Sequence, residues 1–166
     1  VLFLLLTGGE PLLYPGFKEL YLGLKQLGFI LSINTNGTLI DEEWADFFAA
    51  HKPRRINITL YGVNETTYAN LCHYPGGFEK VTRAIRLLRE RKIDVKIGGS
   101  LAKSNREDLL PLLSLGKELD APVRVDTYMM PAARERTQPF AMQSRLDPEQ
   151  AAAARVEALR EEMGPE

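Results

Sequence analysis

The chain carries one cysteine, Cys72, among 166 residues. That excludes an intramolecular disulfide, and such sparing use of thiols fits a reducing, cytoplasmic setting. Long hydrophobic runs are missing too. The opening Val-Leu-Phe-Leu-Leu-Leu at 1–6 falls far short of the roughly 18 to 20 apolar residues that cross a bilayer. No basic leader with a small-residue cleavage site is present, so no signal peptide is expected. Neither sign of charge is in useful excess: 21 basic against 22 acidic residues give a net charge of −1, and the basic residues are scattered. Recruitment of nucleic acid or an anionic membrane is therefore not expected. Repeats at solenoid periods are absent, and the only compositionally biased stretch is the helix-favouring run Ala151 to Ala154. Neither an initiator methionine nor a polar lead-in precedes the first apolar run, so the chain reads as a fragment of a longer protein.

With 45% apolar and 26% charged residues, the remainder describes one soluble globular domain. Short apolar runs alternate with helical patterns. Residues 1–6 read as a strand buried on both faces of a parallel sheet. Phe17, Leu20, Leu24 and Leu27 recur at helical spacing, and Gly28 supplies a stop. A second strand is expected at 29–34. Asp41 then caps a helix carrying Trp44, Phe47 and Phe48. A third strand follows at 56–61, an irregular stretch at 62–77, and a helical stripe at Phe78, Val81, Ile85 and Leu88. A fourth strand is expected at 93–101. The next helix, with Leu109, Leu112, Leu113 and Leu119, must start late to tolerate Pro111. The fifth strand spans 123–130 and a loop 131–146. Asp147-Pro-Glu-Gln150 opens a last helix with Val156, Leu159 and Met163 on its face.

Five strands alternating with helices imply right-handed crossovers and a parallel sheet covered by helices. Ligands of such sheets gather at the carboxyl ends of the strands. That rim would hold Thr7 to Glu10, Thr35 to Gly37, Tyr61 to Gly62, Ser100 to Lys103, and Met129 with Met130. Gly8 and Gly9 leave backbone groups accessible, and Glu10 adds a carboxylate just before Pro11. Carbonyls and a carboxylate are acceptors only, so the spot suits an ammonium group better than a phosphate.

Thr-Gly-Gly-Glu-Pro at 7–11 after an apolar strand resembles the GGE motif of the radical S-adenosylmethionine (radical SAM) superfamily. Ser-Ile-Asn-Thr-Asn-Gly at 32–37 is similar to that family's next strand and turn, and Ile-Asn-Ile-Thr-Leu-Tyr-Gly at 56–62 to the strand bearing a ribose-binding hydroxyl. Residues 78–105, ending in Asn105, resemble the unit that follows. The resemblance implies a partial (βα) barrel whose first βα unit is missing, with a partial core over 1–130 and a loop and terminal helix over 131–166. It implies SAM held by Gly8, Gly9, Glu10, Thr35, Asn36, Thr59, Ser100 and Met129. It also implies a 4Fe-4S cluster in the parent protein, bound through a CxxxCxxC loop that one cysteine cannot replace. The family's reaction is reductive cleavage of SAM to a 5'-deoxyadenosyl radical that abstracts hydrogen. A small-molecule or peptide substrate, and a flavodoxin or ferredoxin as electron donor, would follow. No catalytic or metal-ligating residue is assigned in this chain, and the fragment alone is expected to be inactive.

Two other readings remain open at the level of residues. One is a parallel-sheet binding module without redox chemistry. The other is a barrel aldolase or hydrolase, for which only Lys103 and Asp126 are even roughly placed. Gly98 and Gly99 suggest close approach by another group, either a ligand or a packed helix. Cys72 with His73 lacks further ligands, and Arg134, Arg136 and Arg145 could hold an acidic group or simply face solvent. An apolar first strand at the edge would favour self-association.

Overall fold

The computed structural model describes residues 2–131 and 133–164. Val1 and Pro165, at the ends of the expected first strand and last helix, and Ala132 in the expected loop, lie outside the described residues. Five strands run in chain order across one sheet: β1 (Phe3–Leu6), β2 (Ile30–Thr35), β3 (Arg55–Thr59), β4 (Val95–Ser100) and β5 (Val123–Asp126). Every neighbouring pair is parallel. Between them lie the helices α1 (Phe17–Gln26), α2 (Glu42–Ala50), α3 (Glu65–Cys72), α4 (Gly77–Glu90) and α5 (Leu109–Glu118), and α6 (Pro148–Met163) follows β5.

Side-chain alternation explains the layering. Leu31, Ile33, Ile56, Ile58, Val95 and Ile97 are buried in one cluster with Phe17, Tyr21, Phe48, Val81, Ile85 and Leu88 from the helices. Each such side chain contributes roughly 1.5–3 kcal/mol through burial. The alternate strand positions, Ser32, Asn34, Arg55, Asn57, Thr59, Lys96, Gly98, Ser100 and Arg124, are half-buried or exposed. Helices therefore cover one face of the sheet, and the other is polar and open.

Several expectations change accordingly. In β1, Leu4 and Leu6 are half-buried while Phe3 and Leu5 are exposed on the open face, so the strand is not buried on both sides. Within 62–77, α3 forms where irregular chain was expected, because the Asn64 side chain accepts from Thr67 N at 2.9 Å and caps it. In α1 the buried pair is Phe17 with Tyr21 rather than Phe17 with Leu20. The Tyr21 hydroxyl donates to His51 O at 2.6 Å, and burial holds this phenol well above its ordinary pKa. In α6, Val156, Leu159 and Met163 are exposed, and the packed positions are Ala154 and Ala158. Small side chains let this helix sit against Leu109 and Leu113 of α5. β5 ends at Asp126, so Met129 and Met130 lie beyond the strand. The 131–146 segment is not a free loop: Glu135 and Gln143 are buried, and Ala102 bridges to Arg145.

Other expectations are met in detail. Asp41 Oδ1 accepts from Trp44 N at 3.0 Å. Asp147 and Gln150 form a reciprocal capping box. α5 begins at Leu109 after a 3-10 segment, Lys103–Asp108, which leaves Pro111 in the first turn, where a missing N–H has no consequence.

The two adjacent glycines of β4 divide between the faces. A Cβ on Gly99 would overlap the Leu112 side chain, whereas one on Gly98 would meet nothing nearer than Ile58 O at 4.0 Å. Gly99→Ala should lower stability by about 1–3 kcal/mol through overpacking, and Gly98→Ala should not lower it. Urea unfolding of the two variants checks the orientation; equal losses would contradict it.

Candidate ligand-binding rim

The rim lies at the carboxyl ends of β1 to β4, where each strand hands its chain to a loop. Gly8 and Gly9 follow β1. Neither has a positive φ among the described backbone conformations, and a Cβ on either would meet nothing within 4 Å. Nothing in the fold requires glycine there. What the two glycines provide is uncovered backbone at an exposed strand end.

Glu10 determines the geometry of this corner. Its Oε1 accepts from Leu12 N at 3.0 Å and from the Thr35 hydroxyl at 2.8 Å, and its Oε2 accepts from Asn36 N at 2.7 Å. One carboxylate thus ties the end of β1 to the end of β2. A carboxylate offers about four acceptor positions, so three are used within the protein and one, on Oε2, remains. The Thr35 hydroxyl also accepts from Gly37 N at 3.0 Å. The Asn36 side chain is taken up by Thr38, whose N and hydroxyl donate to Oδ1 at 2.9 and 2.7 Å. Thr35 and Asn36 therefore build the turn, and their side-chain acceptors face the chain itself. Gly37, at φ 76°, completes it; a Cβ there would press on Ile58 Cγ2 at 3.0 Å.

At the other end of the rim, Asn105 performs a similar task that the sequence shows only as the end of a family-like segment. Its buried side chain accepts from Ala102 N at 2.7 Å and donates to Ser100 O at 3.1 Å and Tyr61 O at 3.4 Å. It fixes the chain leaving β3 to the chain leaving β4. Thr59 and Ser100 are half-buried on the open face, with Thr59 opposite Gly98 and Ser100 opposite Asp126. Met129 is half-buried beyond β5, and Met130 is exposed.

The remaining candidates are engaged elsewhere or stand exposed. Lys103 Nζ donates to Ala141 O and Gln143 O, both at 2.9 Å, which secures the 131–146 segment and removes it as a free catalytic amine. Asp126 Oδ1 accepts from Arg124 Nε at 3.2 Å. Arg145 lies over the Phe140 ring and bonds Gln143 Oε1 at 2.6 Å. Arg134 and Arg136 are exposed. Burial pushes the Cys72 thiol up, with a hydrogen bond from Tyr68 acting in the opposite direction. His73 is an exposed left-handed residue closing α3. Among the described residues no three His, Cys, Asp or Glu side chains gather as a metal site. With one cysteine in its sequence, the chain by itself cannot supply three thiolate ligands. What the rim offers is uncovered backbone at Gly8 and Gly9, one remaining acceptor position on Glu10 and the half-buried hydroxyls of Thr59 and Ser100.

Glu10→Ala and Thr35→Val should each lower stability by about 1–3 kcal/mol, because each leaves polar partners unsatisfied. Their effects should overlap, the double variant losing less than the sum by at least about 0.5 kcal/mol. Additive losses in urea unfolding would contradict the network.

Residues 1–115 match the family model described as the Radical SAM superfamily. The AdoMet-dependent heme synthase of Methanosarcina barkeri is 30% identical over 131 residues, which are 79% of this chain and 38% of that protein. The probable GTP 3',8-cyclase of Saccharolobus solfataricus is 32% identical over 121 residues, 69% of this chain and 37% of that one. The chain thus spans well under half the length of these relatives. Among solved structures, native anSMEcpe with bound AdoMet superposes with a TM-score of 0.76 at 22% identity, covering 95% of this chain and 45% of that one. Streptococcus suis SuiB bound to its precursor peptide SuiA gives 0.74 at 16% identity, covering 98% and 36%. The sheet is that of a partial (βα) barrel, and the chain belongs to the radical SAM superfamily.

Proposed function

We propose that this chain forms the SAM-holding wall of a radical SAM enzyme. When bound in such an enzyme, SAM and a reduced 4Fe-4S cluster supply a 5'-deoxyadenosyl radical for hydrogen abstraction. This chain's residues serve the sulfonium cofactor. The backbone at Gly8 and Gly9 receives the methionine ammonium, and the unused Oε2 position of Glu10 offers that ammonium a charged acceptor. Thr35 and Asn36, at first sight ligands themselves, act by holding Glu10 and the turn in place. Thr59 and Ser100 meet the ribose hydroxyls, and Met129 offers apolar surface toward the adenine.

One observation carries the reading: two glycines with open space at their Cβ positions stand beside a carboxylate whose other acceptor positions the protein has already filled. A turn serving only the fold would tolerate side chains at both glycines. A ligand approaching the backbone would not.

Substrate and partners extend the proposal. A peptide substrate is supported by the fold shared with SuiB in complex with its precursor peptide and with anSMEcpe in complex with peptide. A flavodoxin or ferredoxin would supply electrons in a cytoplasmic setting. The β1 edge, with Leu2, Phe3 and Leu5 exposed, offers unpaired backbone groups to another strand and would support self-association of the chain by itself. Light scattering should show a concentration-dependent rise in mass; a constant monomer mass would exclude association.

Calorimetric titration with SAM tests the rim. The chain should bind SAM saturably, and Gly9→Val should weaken binding at least tenfold while leaving urea stability within about 0.5 kcal/mol, since its side chain enters open space. Equal affinity of the two proteins would remove the rim from the site.

A further inference from the structure

The open face of the sheet holds an arrangement that the rim does not use. In register across three strands, Asn34 stands opposite Asn57 and Asn57 opposite Lys96. Arg55 and Arg124 flank this row, so three adjacent strands bring three cations to one face. Two are neutralised within the sheet. Arg55 places Nε and Nη2 on Asp94 Oδ2 at 2.8 Å each, and Arg124 Nε meets Asp126 at 3.2 Å. The Lys96 side chain has no hydrogen bond or ion pair among the described residues.

The surroundings of Lys96 are spacious and rich in donors. It lines a cavity of about 380 Å³ on the open face with Ser32, Arg54, Arg55 and Asn57, and it also borders a second, of about 860 Å³, which α5 and α6 line as well and which carries both signs of charge, Arg124 and Arg155 among them with Asp120, Glu161 and Glu162. Asn57 Nδ2 donates to Asn34 Oδ1 at 2.7 Å; this leaves the Asn34 amide N–H groups without a partner among the described residues. Gly98, two residues along β4 on the same face, leaves open space where any other residue would place a Cβ. Lysine is disfavoured within strands; none of the described residues lining the smaller cavity is acidic, and Asp94 is held by Arg55.

We infer that Lys96 anchors an anionic oxygen group, a carboxylate or a phosphate, on the open face of the sheet. An ammonium group binds either as a point charge, and Arg54, which lines the same cavity, adds a second cation, while the Arg55 guanidinium is held by Asp94. Calling the bound molecule a substrate rests on the radical SAM reading; the anion site itself does not. The molecule would extend along the open face from the radical centre at the rim and be fixed at its anionic end, which limits which hydrogen reaches the radical.

The test is a titration followed by the side-chain Cε resonance of Lys96 in lysine-labelled protein, with inorganic pyrophosphate and succinate as separate probes. A saturable shift with at least one probe is expected. Saturation with pyrophosphate identifies a phosphate-bearing ligand, and saturation with succinate a carboxylate-bearing one. Following backbone amides of the open face, Lys96→Gln should abolish the saturable response, Gly98→Val should weaken it at least fivefold by filling the adjacent space, and Lys80→Gln on α4 should leave it unchanged. No saturation with either probe in the wild-type protein, or an undiminished response in Lys96→Gln, would overturn the inference. SAM calorimetry on the same wild-type sample separates the two claims: SAM binding without anion binding removes the Lys96 site alone, and anion binding without SAM binding removes the rim reading alone.

Discussion

The structure depends on one-sided burial of its sheet. In β2, β3 and β4 alternate residues face the helical layer and are apolar except Thr35 and Gly99, and the residues between, Ile30 apart, are amides, hydroxyls, cations or glycine. Right-handed crossovers place successive helices on that single face. Polar groups are thereby left on a surface where water or a ligand can satisfy them. Had the sheet been covered on both sides, Asn34, Asn57 and Lys96 would have required internal partners, and unpaired buried polar groups are costly.

Above that layer, two side chains set the rim. Glu10 joins the ends of β1 and β2, and Asn105 joins those of β3 and β4. Both bond mainly to backbone or to groups that are themselves building turns. They fix the backbone at the strand ends, which explains how a rim made largely of loop segments can have a defined shape. On the proposed reading, the rim would receive the cofactor at the strand ends, and the open face would leave space for a second molecule beside Lys96.

Much of this was legible in the sequence, because the relevant signals are local. The order and type of the five strands follow from apolar runs closed by glycine, and the Asp41 and Asp147 caps follow from residues three positions apart. Misread elements depended on tertiary packing. Alanines at 154 and 158 are weak hydrophobic signals, yet they make the close contact of α6, while the larger Val156 and Leu159 face outward. The apolar composition of β1 suggested two buried faces, although composition alone does not show whether a layer covers each face. At the site, Gly8, Gly9 and Glu10 stood out in the sequence, but the demands on the Thr35 and Asn36 side chains did not. Lys96 gave no local signal, since its position depends on the register of three strands.

The central claim is that the strand-end rim, and not the helical face, receives SAM. Amide chemical-shift mapping of the labelled chain during SAM titration addresses it most directly. The account predicts the largest shifts at Gly8, Gly9, Asn36, Leu60 and Leu101, on the strand ends and the residues beside them, with little change along α2 and α4. Shifts confined to the helices, or none at saturating SAM, would contradict it.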